Sequence, residues 1–316
     1  MKIPPNIIHH EHMIKTMNEY VILAKGAYAT DEKSLRERTG LDESCIYHCD
    51  FKESNGTYPR PAFYLAVVEK LNALVLAIRG TKTTLEFQID AKWQPIEFPQ
   101  LPGSYVHQGI FLAARWFVDQ VLGRLVKLVE IFPDYNIRII GHSLGGGIAA
   151  LFTLMIKDIL PSTKAVIFAP PACISSNLVP ILKECCISFV NRSDVLPYIT
   201  HANFASIFSS KKIVTSVEQW EEMIKDKLIS SKEESKQKIS QAMRNSTSAV
   251  IQDVLIQFYP PGDLHHIFKS LADTFHIRRV SHDYFLQSSF ISRTIIRHHK
   301  MDSYKHAFEM LVEHSS

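Results

Sequence analysis

The chain reads as an α/β protein whose mostly parallel central sheet is flanked by helices. Three observations predict this. Short apolar runs rich in β-branched and aromatic residues alternate with longer stretches of helical periodicity, the order that builds parallel sheets. The 316 residues suffice for one large domain around such a sheet. The stretch NIRIIGHSLGGGIAALFTLM, Asn136 to Met155, passes from a strand pattern to a helical one through a glycine-rich junction that holds one serine, Ser143.

Taken in order, residues 1–45 predict helix, with MIKTMNEYVILAKGAY the clearest apolar stripe. AFYLAVVEKLNALVLAIRG predicts two strands joined by a tight turn near Lys70–Asn72. HQGIFLAARWFVDQVLGRLVKLVEIF then has helical spacing: Ile110, Ala113, Ala114, Phe117, Val121, Leu125 and Leu128 fall near one face, and Pro133 follows its end. NIRIIG predicts a strand, and a helix is expected from Gly145 to about Leu160. KAVIFAPPA and CISFVNRSD predict two further buried strands, each closing in turn residues. A ligand site in such a sheet lies beyond the carboxyl ends of its strands.

Composition changes at residues 209–250, which are polar, charged and serine-rich. Val217, Trp220, Ile224 and Leu228 still make a helical stripe, so this segment reads as an insertion carrying one or two amphipathic helices and a flexible stretch. The sheet pattern resumes at VLIQFYPPGDLHHIF, and the tail from Ser281 contains helical turns and a basic, histidine-rich cluster. The whole, 1–316, is one domain with an insertion; there is no internal repeat.

Composition narrows the function classes. A formal net charge of +3 is too mild to argue for nucleic acid, and is compatible with weak attraction to anionic lipid. The five cysteines have no paired C-x-x-C spacing for zinc, which points to free thiols in a reducing compartment. MKIPPNIIHHEHMIK has no continuous apolar core of a secretory signal, and no run reaches the roughly 18 apolar residues of a membrane span. A cytoplasmic protein that meets membranes or lipid droplets only peripherally is expected.

The chemistry centres on Gly141-His142-Ser143-Leu144-Gly145, a G-x-S-x-G between a strand and a helix. In that context the serine sits on a tight, strained turn that lifts its oxygen above the sheet, and side chains in place of Gly141 and Gly145 would clash with the adjoining strand and helix. The helix N-terminus favours negative charge beside it. A serine nucleophile needs a histidine base and an acid to orient that base, in the chain order Ser, Asp or Glu, His. Asp194, just after the strand CISFVN, fits the acid better than Asp158, Asp253 or Asp263. Of fifteen histidines, His282, His298, His299 and His306 lie late enough to be the base. The Cys185-Cys186 pair is the candidate for thiol chemistry and has no supporting motif.

LVLAIRGT, VHQGIF, IIGHSLGGGIAAL, FAPPA, NRSDVLP, FYPPGDLHHI and HKMDSY occur in this order from Leu74 to Tyr304. Together they resemble the class 3, fungal-type lipase family, including the sn-1 diacylglycerol lipases. The resemblance implies an α/β-hydrolase fold and a Ser143–Asp194–His299 triad, with His299 as the base of a D-H-x-M-x-x-Y element in which His298 stands where the family often has Asp. It implies oxyanion donors at Thr81 and at the Leu144 N–H, a lid over residues 82–98, a structural role for His107 and an insertion at 209–250 able to gate the site. The function implied is hydrolysis of mono-, di- or triacylglycerol esters through an acyl-enzyme, with no metal or organic cofactor. The alternatives are a phospholipase A1-type hydrolase and a catalytically inactive lipid-binding or scaffold protein.

Overall fold

Strands covered on both faces read as continuous apolar runs, and the central strands of this chain serve two cores at once. The computed structural model describes residues 11–52, 60–80, 94–194, 196–198, 256–287 and 294–315. Strands β1 (Ile46–Asp50), β2 (Phe63–Val68) and β3 (Ala73–Ile78) pair antiparallel. From β3 the sheet continues through β6 (Asn136–His142), β7 (Lys164–Phe168), β8 (Cys186–Asn191) and β9 (Asp263–Lys269), all parallel, and closes with antiparallel β10 (Phe275–Arg279). The spatial order is β1-β2-β3-β6-β7-β8-β9-β10, and a separate ribbon pairs β4 (Pro95–Glu97) with β5 (Tyr105–His107).

On β3, Leu74, Leu76 and Ile78 face one core while Ala73, Val75 and Ala77 face the other, and all six are buried. The first core is roofed by α3 (Gln108–Gln120), α4 (Leu122–Ile131), α5 (Leu144–Ile156) and α6 (Val179–Cys185); the second by α1 (Glu11–Gly26), α2 (Glu32–Thr39) and α8 (Met301–Ser315). Helices therefore cover both faces, as the alternation predicts. The seven residues assigned to the apolar face of the stretch from His107 to Phe132 are all buried. Phe117, fully buried against Phe63 and Phe152, is worth about 1.5–3 kcal/mol by its apolar area alone.

The predicted single helix over that stretch is divided. Val121 takes φ −115°, separating α3 from α4, just before Gly123, whose missing side chain weakens helix continuation. The helix from the serine junction starts one residue earlier than predicted and ends at Ile156, four residues short of Leu160. Strand β7 stops at Phe168, because Ala169 adopts φ 55°. Strand β9 begins at Asp263; the upstream part of VLIQFYPPGDLHHIF instead contributes Tyr259, which bridges Ile174. β1, the β4–β5 ribbon and β10 carry no clear signal in the sequence. The 209–250 insertion, and its division from the rest of the domain, lie outside the described residues. No helix among the described residues is long and apolar enough to cross a membrane.

Candidate active site

Three strand ends meet at the carboxyl edge of the parallel sheet. β6 delivers Ser143, β8 delivers the loop to Asp194, and β3 delivers Gly80. Ser143 adopts φ 58°, ψ −126°, a conformation non-glycine residues rarely hold. It is held there from both sides: its N–H donates to the Phe168 carbonyl at 2.9 Å, and its own carbonyl accepts from Gly146 N at 2.9 Å and Gly147 N at 3.2 Å as α5 begins. The two glycines expected around it are required by contact. A Cβ on Gly141 would overlap the Gly145 carbonyl, and a Cβ on Gly145 would overlap the Ile78 carbonyl and lie 2.7 Å from that of Arg79. Leu144 is the first residue of α5, so its N–H has no intrahelical acceptor and is free to serve as an anion donor.

The acid is set by a left-handed turn. Arg192 has φ 54°, and Asp194 N donates back to the Asn191 carbonyl at 3.0 Å. The carboxylate is fully buried and completely engaged. Oδ1 accepts from Leu196 N at 3.0 Å, Oδ2 accepts from the Tyr304 hydroxyl at 2.7 Å, and His299 Nδ1 lies 3.0 Å from Oδ1 and 3.2 Å from Oδ2. Burial by itself would raise this carboxyl. The His299 charge and the hydrogen bonds from His299, Leu196 and Tyr304 prevail and hold it below the ordinary carboxylate value.

His299 ends the short helix α7 (Ile295–His299). With Nδ1 on Asp194, the opposite ring nitrogen, Nε2, is left for a substrate or nucleophile. The ring packs on that of His142, centroids 4.9 Å apart, and His142 is joined directly to Ser143. No direct Ser143 Oγ–His299 hydrogen bond is formed among the described residues; such bonds are often long until substrate binds.

Geometry separates the two neighbouring histidines. His298 points away from Asp194: its Nδ1 meets Ser193 Oγ at 2.9 Å and its Nε2 meets Thr294 Oγ1 at 3.2 Å. Burial, reinforced by Arg192, lowers it to about 4, so it is a neutral structural residue. His282 is likewise lowered to about 4, mainly by burial, and His306 packs edge-on against Phe275. His107 caps α3, its Nδ1 accepting from Ile110 N at 3.3 Å, consistent with the structural role expected for it.

Tyr304 closes the HKMDSY element, and the sequence assigns it no role. Its hydroxyl donates to Asp194 and accepts the Asn191 N–H at 2.9 Å, so one atom fixes both the acid and the strand end that carries it. The sequence signal is a tyrosine five residues after the histidine; only the fold shows what it faces.

Thr81 and residues 82–93 of the segment read as a lid lie outside the described residues. At the end of that segment Pro95–Glu97 forms a strand paired with Tyr105–His107. Gly80, just before Thr81, sits against the serine; a Cβ there would be 3.0 Å from Ser143 Cβ. Thiol chemistry has no place here. Cys185 and Cys186 are buried, 3.9 Å apart, at the start of β8 and hence at the opposite edge of the sheet from Asp194. No cluster of metal-ligating side chains occurs among the described residues.

A mostly parallel sheet with a strained serine between strand and helix, and an acid and a histidine converging on its carboxyl edge, defines an α/β-hydrolase. A triacylglycerol lipase whose catalytic centre is described as a serine protease triad shares this architecture, with TM-score 0.61 over 91% of this chain and 93% of that one at 14% identity, a likeness of fold. Residues 75–204 match the family model of class 3 lipases. The chain is 28% identical over 180 residues to diacylglycerol lipase-beta of Mus musculus, covering 55% of this chain and 26% of that protein. It is 28% identical over 123 residues to the secreted mono- and diacylglycerol lipase A of Penicillium camembertii, covering 39% and 40% respectively. The matched part of the chain is therefore similar to the class 3 lipases, and the chain spans about a quarter of the length of diacylglycerol lipase-beta.

Proposed function

We propose that the protein is a serine lipase that hydrolyses acylglycerol esters through an acyl-enzyme. The observation that carries this is the buried His299–Asp194 pair, 3.0 Å apart, packed against the residue that precedes the strained Ser143. His299 Nε2 takes the proton of Ser143 as its oxygen attacks the ester carbonyl. The oxyanion is met by the Leu144 N–H at the positive end of α5 and by Thr81. His299 then protonates the leaving glycerol oxygen. Water repeats the sequence, releasing fatty acid and restoring the serine. Asp194 holds Nδ1–H of the imidazole in place and stabilises the charge that forms when Nε2 is protonated. Apolar acyl chains and a glycerol leaving group are the substrate class favoured by the homology to diacylglycerol and monoacylglycerol lipases.

The five free thiols support a reducing, cytoplasmic setting, and a lipid substrate would bring the site to a membrane or droplet surface. The test is fatty-acid release from emulsified mono-, di- and triacylglycerols and from phosphatidylcholine vesicles by wild type and Ser143→Ala. Acylglycerol cleavage exceeding phospholipid cleavage, and lost in the variant by about ten-thousandfold, supports the reading. Preferential phospholipid cleavage would make it a phospholipase A1-type enzyme. No turnover of any ester would leave a lipid-binding scaffold.

A further inference from the structure

Two hydrogen bonds at His142 have no part in the mechanism above. Nε2 lies 2.8 Å from the carbonyl oxygen of His299, and Nδ1 lies 2.7 Å from the Tyr28 hydroxyl. A carbonyl only accepts, so the proton sits on Nε2. The ring is fully buried beside His299 and, chiefly through that burial, its value falls to about 3, so it carries a single proton at neutral pH. Nδ1 is then a lone pair, and Tyr28 is the donor to it. The Tyr28 hydroxyl also lies against Gly80, where an added Cβ would come within 2.7 Å of it. Both protons along the line are thereby placed, Tyr28 to His142 and His142 to the His299 carbonyl, with the Tyr28 hydroxyl packed on Gly80.

Both ends of this line are parts of the site. Gly80 is adjacent to the Ser143 Cβ and precedes the expected oxyanion residue Thr81. His299 carries the imidazole. The middle is the residue bonded to the nucleophile itself. Tyr28 comes from the far end of the sequence. It is seated just beyond α1 by its N–H donating to Lys25 O at 3.1 Å, with its ring edge-on to His142 at 5.8 Å.

We propose that Tyr28 and His142 are positioning residues for the ester hydrolysis, a buried relay that locks the His142 tautomer and so fixes the His299 backbone and the Gly80 strand end relative to Ser143. It rests on the serine-hydrolase reading. The hydroxyl matters more than the ring it sits on. Without a donor at Nδ1, the His142 proton is free to move there, and Nε2 would then turn a lone pair toward the His299 carbonyl. Attraction becomes repulsion, and the imidazole loses the support on the side opposite Asp194. Displacements well under 1 Å at a reacting centre are enough to slow catalysis markedly.

The test compares wild type, Tyr28→Phe, His142→Gln and His142→Leu on a soluble short-chain nitrophenyl ester, with thermal melting of each and ¹⁵N NMR of the His142 ring in wild type. The expected results are a Tyr28→Phe enzyme with kcat about tenfold lower and KM within about twofold, and a His142 ring protonated on Nε2 from pH 5 to 8. His142→Gln, whose amide still donates near the Nε2 position, should keep at least about tenfold more activity than His142→Leu. Wild-type kcat in Tyr28→Phe, equal loss in Gln and Leu, or a ring protonated on Nδ1 would overturn the relay. If His142→Leu does not fold, Tyr28→Phe and the wild-type NMR decide it. If wild type turns over no ester, the serine-hydrolase reading fails instead, and the tautomer still reports on the relay.

Discussion

The nucleophile side of the site and the acid–base side are built in different ways. Ser143 is held by its immediate neighbours in sequence: a strand before it, a helix after it, and glycines where backbone approaches backbone. Asp194 lies more than a hundred residues from His299 and Tyr304, and a web of side-chain hydrogen bonds brings them together. The first side is specified by sterics and the second by polar pairing. Damage to the first should therefore unfold the protein, and damage to the second should leave it folded and inactive.

The largest expected effect breaks the steric side. Gly145→Val places branched carbon against the Ile78 and Arg79 carbonyls, and the expected outcome is loss of soluble, cooperatively melting protein. Next, on the polar side, His299→Gln should melt near wild type while kcat/KM on a soluble ester falls by about ten-thousandfold; His298→Asn, which loses only the contacts to Ser193 and Thr294, should stay within about threefold. A comparable loss in both would mean that the histidine loop, not the His299 ring, is what matters.

Tyr304→Phe sharpens the comparison further. It leaves Asp194 without one donor and the Asn191 N–H without its acceptor, so a loss of about 1–3 kcal/mol in stability is expected, with about tenfold in kcat. The smallest effect is on pH. His142 is held down to about 3, and His266, His282 and His298 to about 4, each chiefly by burial. Unfolded, each would titrate near 6.5. Below that value the unfolded chain binds more protons, so stability falls as pH drops from about 6.5 toward 4. Asp194 acts in the same direction but lower: its depressed value gives stability above the usual carboxylate range that is lost only as pH falls through its folded value. Melting temperature should be flat from pH 7 to 8 and decline measurably by pH 5; no decline would show that these rings are solvated.

This division also explains what the sequence makes legible. The elbow could be read because its causes are local: the strand pattern of β6, the glycines and the apolar helix lie within a single stretch of twenty residues. The two-sided sheet was readable from the composition of β2, β3, β7 and β8 for the same reason. The histidine could be narrowed to a pair by resemblance, but His298 and His299 differ only in which way each ring turns on a short helix, a tertiary fact. Tyr28 offered no signal, since nothing near it in sequence marks the end of α1 as part of a site. β1, the β4–β5 ribbon and β10 went unseen because short, half-polar edge strands owe their existence to a neighbour more than to their own pattern.

The most direct test of the account is to map a fluorophosphonate adduct by peptide mass spectrometry in wild type, His299→Gln and His298→Asn. The expected result is one adduct on Ser143 in wild type, kept in His298→Asn and lost in His299→Gln. An adduct on Ser143 that forms equally fast without the His299 imidazole, or a modified residue other than Ser143, would contradict it.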